Sequence, residues 1–127
     1  MSGVRPTHIA QIAVTVGELE RAKRFYRDVL GLIHLFDAPP GLSFFQCGET
    51  RLMLSRPEAP GTGGNSILYY AVEDTEAAYR QLAAEGVGFE EEPKRIARVG
   101  TKDVWLAIAR DSEGNLIGLM SEREERP

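Results

Sequence analysis

The stretch HIAQIAV, His8 to Val14, places an imidazole and a side-chain amide three residues apart in an otherwise apolar run. Both groups can hold a metal ion. Side chains alternate along an extended strand, however, so residues 8 and 11 point to opposite faces and do not share one ion. His8 reads as a half-exposed histidine at a strand start. The other histidine, His34 in LIHLF, reads as a rim or interface residue rather than a ligand. The single cysteine, Cys47, has no base beside it to draw out a thiolate and reads as a small buried hydrophobe. One cysteine also rules out an internal disulfide. No carboxylate pair or nucleophile–base pair stands out for acid–base or covalent chemistry.

The elements that would position these residues come in two similar sets. Ile9–Val16 is apolar and β-branched, the pattern of a strand. In GELERAKRFYRDVLGL, the residues Leu19, Ala22, Phe25, Tyr26, Val29 and Leu30 recur at helical spacing, and Gly31 closes the helix. LIHLF is a strand and DAPPG a turn. LSFFQC and TRLMLS form a hairpin around Gly48 and Glu49. RPEAPGTGGN, rich in proline and glycine, reads as a linker. The order then repeats. SILYYAV is a strand, and Asp74 caps a helix through Glu85 whose apolar stripe is Ala78, Leu82 and Ala83, with Gly86 closing it. GVGFEE is a strand. VWLAIAR and NLIGLMS form a hairpin joined by DSEGN, a type I turn with Gly114 left-handed. V-x-E-L-E-x-A in Val16–Ala22 matches V-x-D-T-E-x-A in Val72–Ala78, a trace of internal duplication. The expected organisation is one domain of two modules, about 8–55 and about 66–122, joined by a linker over 56–65.

The bulk numbers agree with a soluble domain. The chain has 127 residues, 43% hydrophobic and 27% charged, enough to bury roughly two thirds of its unfolded surface. A net charge of −4 and a pI near 5.2 argue against a nucleic-acid partner, which needs a basic face. No apolar run approaches the ~18 residues of a membrane span. MSGVRPTHIAQ lacks the apolar core of a signal peptide, so a cytoplasmic location is expected.

Three stretches, IAVTVGELERAKRFYRDVLGL, AVEDTEAAYRQLAAEGV and RDSEGNLIGLMSE, together resemble the vicinal oxygen chelate superfamily: glyoxalase I, bleomycin-resistance proteins, fosfomycin-resistance enzymes, methylmalonyl-CoA epimerase and extradiol dioxygenases. The resemblance runs from about His8 to Glu122. Ser112 stands where the family often has proline, and Glu18 where aspartate often caps the first helix. The resemblance implies an α+β fold in which two βαβββ modules form a curved, cup-shaped mixed sheet with helices on the outside. It also implies a homodimer, sometimes with modules exchanged between chains. In the family's enzymes, four residues on four strands hold a divalent metal in the cup. Those positions fall here on Gln11, Met53, Ile67 and Gly118. Only Gln11 offers a hard donor, and Met53 offers a thioether suited to Cu(I). No metal cofactor is therefore expected.

Strand parity would place Ala13, Arg51, Met53, Tyr69, Leu116 and Met120 on the same inner face as Gln11, with Glu122 at its mouth. This is a mostly apolar lining with a few polar groups, the make-up of a small-molecule pocket. The ligand-binding candidates are Gln11, Arg51, Met53, Tyr69, Gly118 and Met120. Arg51 forks onto a carboxylate or phosphate of the ligand, lies over the sheet as an edge arginine, or pairs with Glu122 or Glu49. Gln11 bonds a ligand or satisfies a backbone group or water. Of Tyr69 and Tyr70, one faces inward. Trp105 goes outward if DSEGN pairs Asp111 with Asn115 and inward after a one-residue change, and the same question decides between Phe44 and Phe45. Three functions follow: a metal-free binding protein for a small apolar compound, a metal-free lyase or isomerase with Glu122 or Tyr69 as acid or base, and an atypical metal enzyme of glyoxalase type. The first is the expectation.

Overall fold

A computed structural model of the chain describes residues 4–57 and 64–124. It divides into two compact units, Met1–Asn65 and Ser66–Pro127. The first unit runs β1 (Gln11–Thr15), α1 (Leu19–Arg24), β2 (Ile33–Ala38), β3 (Leu42–Cys47) and β4 (Thr50–Ser55). Its strands form a mixed sheet in the order β1-β4-β3-β2, parallel between β1 and β4 and antiparallel elsewhere. The second unit runs β5 (Leu68–Ala71), α2 (Thr75–Ala84), β6 (Phe89–Val99), β7 (Lys102–Arg110) and β8 (Leu116–Glu124). Its sheet has the order β5-β8-β7-β6 with the same pattern of directions. Each unit is thus βαβββ and the fold is α+β, as the duplicated pattern predicts. Most of the expected linker, residues 58–63, lies outside the described residues.

In each unit one face of the sheet is closed by its helix. In the first, Val14, Phe45, Leu52 and Leu54 alternate onto the covered side, where they are buried with Ala22, Phe25 and Tyr26. The Tyr26 ring meets Phe45 with centroids 6.4 Å apart. Burying each such side chain contributes about 1.5–3 kcal/mol. Phe25 and Tyr26 are adjacent, and a regular α-helix does not turn two neighbours equally into one core. The helix solves this by continuing past Arg24 as one π-helical turn, Phe25–Val29, in which Leu30 N–H donates to Phe25 O at 2.8 Å. Both rings are then buried. Glu18 makes no side-chain cap on α1.

In the second unit Asp74 caps α2, accepting from the N–H groups of Glu76 and Ala77. The inward stripe differs from the expected one. Ala83 is exposed. Thr75, Ala78, Tyr79 and Leu82 follow the i, i+3, i+4, i+7 spacing, with Thr75 and Leu82 buried and Tyr79 edge-on to Phe89 at 4.7 Å. The hydroxyls of Thr75 and Ser121, both buried, lie 2.7 Å apart and tie α2 to β8.

β6 is longer than GVGFEE suggests, reaching Val99 with register shifts between Phe89 and Glu91, Glu91 and Lys94, and Arg95 and Ala97. Pro93 has no N–H to give a ladder, and a bulged edge strand is where that omission costs least. The charges and bulges also guard the edge against further strand pairing. In DSEGN, Asp111 Oδ1 accepts from the N–H groups of Glu113 and Asn115, and Gly114 takes the positive φ of 83° that an L side chain adopts poorly. Asp111 N–H donates to Asn115 O at 2.8 Å. That register sets Ile108 opposite Gly118 and Trp105 opposite buried Ser121, so Trp105 faces the helix side. Phe45 does likewise, and Phe44 takes the open face. No helix among the described residues is long and apolar enough to cross a membrane.

Candidate functional site

The sheet face turned away from the helix carries the predicted site residues in both units. In the first unit, β1 lies beside β4 with Gln11 opposite Arg51 and Ala13 opposite Met53. On β3, Phe44 stands opposite Met53 and Gln46 opposite Arg51. On β2, Phe36 stands opposite Phe44. Side-chain contacts run diagonally across this face from Gln11 through Arg51 and Phe44 to Phe36. Arg51 Nε donates to Gln11 Oε1 at 2.8 Å, and its guanidinium carbon lies 5.8 Å from the centroid of the Phe44 ring. Phe44 and Phe36 are stacked with centroids 4.5 Å apart. Gln11 Nε2 points to Met53 Sδ at 3.9 Å. Of the readings of Arg51, the structure shows a guanidinium lying over the sheet, above the Phe44 ring and bonded to Gln11, with no ion pair to Glu49. A cavity of about 630 Å³ adjoins this face, bordered by Pro40, Leu42, Met53, Ser55, Arg56 and Pro57.

In the second unit Tyr69 lies beside Gly118 and Ala71 beside Met120. The Tyr69 ring lies over Gly118: a β-carbon built there would sit 2.8 Å from Tyr69 Cε2 and closer still to Cδ2. That close approach is what requires glycine. Met120 stands opposite Leu106 and Glu122 opposite Val104. Tyr69 is half exposed. Four strand residues separate Gly118 from Glu122, about 13 Å, so Tyr69 and Glu122 share a face without forming an acid–base pair.

The strand register bears on the metal positions. Met53 stands beside the residue two after Gln11, and Gly118 beside the residue two after Ile67. The four positions are therefore equivalent between the repeats, but their donors do not fit a divalent metal. Ile67 and Gly118 offer no side-chain donor and Met53 only a thioether. The one amide oxygen, on Gln11, already accepts from the Arg51 guanidinium, whose positive charge opposes a cation at the same point. Among the described residues, no group of three or more His, Cys, Asp or Glu is placed to hold a metal ion.

The remaining candidates lie elsewhere. His8 is exposed, with Thr7 Oγ1 3.1 Å from its Nδ1. Cys47 is half-buried rather than the buried hydrophobe expected, and partial burial pushes its thiol up, away from thiolate chemistry. His34 belongs to a cluster that sequence reading missed. Asp37 accepts from Lys23 Nζ at 2.7 Å and Ser43 Oγ at 2.7 Å, and lies 2.8 Å from His34 Nε2. The Lys23 hydrogen bond, followed by those of Ser43 and His34, holds the Asp37 carboxyl well below the usual carboxylate range, and Lys23 is raised in return. The cluster ties α1 to β2 and β3. Its only sequence signal is the His34-x-x-Asp37 spacing across a bulged strand, which no periodicity marks.

Solved structures similar to the chain carry the same fold. TnmS3, an antibiotic binding protein from Streptomyces sp. CB03234, is 25% identical over 94% of this chain and 98% of its own, with a TM-score of 0.77. A glyoxalase/bleomycin resistance protein from the same Streptomyces strain is 27% identical over 88% of this chain and 98% of its own, at a TM-score of 0.70. A lactoylglutathione lyase from Agrobacterium tumefaciens is 24% identical over 91% and 94%, at 0.73. No curated protein sequence matches significantly. The model of the Glyoxalase/Bleomycin resistance protein/Dioxygenase superfamily matches residues 8–119, nearly the whole chain, and the protein belongs to that superfamily.

Proposed function

We propose that the protein binds a small, largely apolar molecule on the open sheet face built around Arg51, Gln11 and Met53, and does so without a divalent metal. The observation that carries this reading is the donor set: the family's four metal positions supply one hard donor, and that amide is engaged by a guanidinium. The apolar and aromatic lining, the adjoining cavity and the likeness to an antibiotic binding protein support it. Tyr69, Gly118 and Met120 are proposed to contribute the corresponding surface of the second unit. A metal-independent lyase or isomerase would need an acid and a base within reach of one substrate atom, and the separation of Tyr69 from Glu122 gives that alternative no support. A cytoplasmic homodimer completes the proposal, and light scattering of the purified protein checks its oligomeric part. The functional test is a thermal-shift screen of small apolar and aromatic compounds in excess EDTA. A compound present at a hundred times its dissociation constant stabilises by about 2.7 kcal/mol. The expected result is a rise in Tm that EDTA leaves unchanged. Stabilisation that appears only when Zn²⁺, Ni²⁺ or Mn²⁺ is restored would overturn the reading.

A further inference from the structure

We infer that the ligand of the first unit is an acid: an elongated apolar molecule whose carboxylate is held by Arg51 and whose body lies over Met53 toward the adjoining cavity. This rests on the binding reading above and gives its ligand a chemical class. Arg51 is held on two sides, by the hydrogen bond from its Nε to Gln11 and by the Phe44 ring beneath it. Phe44 is itself fixed, buried and stacked on Phe36. The two terminal nitrogens of Arg51 have no protein acceptor among the described residues. They form the donor fork that matches a carboxylate with two parallel hydrogen bonds. None of the residues that the strand register places on this face is Asp or Glu, so nothing there competes for the guanidinium.

The same strand sets the direction of the ligand. Met53 follows Arg51 by two residues on the same face, about 6.6 Å away, and Ser55 follows by two more. Both border the cavity, as does Leu42. Arg51, Met53 and Ser55 thus line up along one strand toward the cavity, which suits an elongated apolar body with the acid at one end. Arg56 also borders the cavity, but no hydrogen bond or ion pair to another described residue fixes its side chain. Binding to it would cost the freedom that Arg51 has already given up. Selectivity for the anion therefore resides in Arg51.

The test compares 2-naphthoate with the neutral, nearly isosteric 2-naphthamide, read by calorimetry and by the ¹³C-methyl NMR signals of the methionines. The expected result is that naphthoate binds at least roughly tenfold more tightly than the amide and shifts the Met53 methyl. In Arg51→Gln the preference for naphthoate over the amide should disappear, with the ligand-free melt confirming that the variant is folded. Equal affinity for the two probes, or a preference that survives in Arg51→Gln, overturns the assignment of an acid but leaves an apolar site standing. If neither probe moves the Met53 methyl, the apolar site on this face falls with it.

Discussion

The pair Ala13–Met53 in the first unit and the pair Tyr69–Gly118 in the second occupy the same register of the same parallel strand pairing, yet large and small residues have changed places. Which strand carries the bulky side chain decides what the face presents at this point. In the first unit the bulk is a flexible thioether on β4, and short Ala13 leaves Gln11 and Arg51 open beside it. In the second it is a ring on β5 lying across a residue with no side chain. One duplicated architecture thus offers a polar fork in one half and a filled aromatic surface in the other. The covered sides differ less. Each is an apolar layer under a helix, supplemented by the Asp37 cluster in one unit and by the Thr75–Ser121 contact in the other.

If the covered sides are equivalent cores, truncating either should cost the most of any single change. Phe45→Ala should lose about 3–5 kcal/mol and Leu119→Ala about 2–5 kcal/mol, both side chains being fully buried. Urea unfolding midpoints measure this, and a loss below about 1 kcal/mol in either would break the equivalence.

The exchange of large and small is tested next. Gly118→Ala must displace the Tyr69 ring and should cost about 1–3 kcal/mol. Adding Tyr69→Ala should recover most of that loss, a coupling that a double-mutant cycle reads directly. Additive losses would mean that the ring does not depend on the glycine.

Smaller effects should separate the two helices. Asp74→Ala removes a cap bonded to two backbone N–H groups and should cost about 1 kcal/mol. Glu18→Ala, where no side-chain cap exists, should cost only a few tenths. Thermal melts of the two variants make the comparison, and equal losses would contradict it. Asp37→Asn should cost less than about 1 kcal/mol near neutral pH, because the pair with Lys23 is half exposed on the aspartate side and screened by solvent. Its pH signature is more distinctive. The folded carboxyl is held below its unfolded value of about 3.9, so its contribution is complete above that value and is lost as pH falls toward the lowered one. Lys23 is raised, so its contribution is complete below its unfolded value of about 10.4 and is lost as pH rises through the folded one. Stability measured across pH should show both slopes in the native protein and weaker slopes in Asp37→Asn.

How much of this was legible in the chain itself depends on the range of the interaction. Periodicity and turn residues mark the eight strands and two helices seen among the described residues because those signals are local. The DSEGN turn carried enough geometry to place Trp105, once Asp111 and Asn115 are known to pair. The far half of β6 was missed because Pro93 and the charges around it read as loop; only pairing with β7 makes them a strand. The alanine pattern points to Ala83, whereas Tyr79 joins the stripe only through the i, i+4 spacing from buried Thr75 and its contact with Phe89. At the site, parity put Gln11, Arg51 and Met53 on one face. What parity could not supply is that Gln11 and Arg51, forty residues apart, stand directly opposite each other, or that a ring covers Gly118. Both are properties of a parallel pairing closed across a whole module.

The measurement that bears most directly on the central claim is a calorimetric titration of the EDTA-stripped protein with Zn²⁺, Ni²⁺ and Mn²⁺. With one engaged amide and a thioether as the only donors at the family's four positions, no stoichiometric binding tighter than about 0.1 mM is predicted. One equivalent of any of these ions bound below about 1 μM, with its heat abolished in Gln11→Ala, would contradict the account.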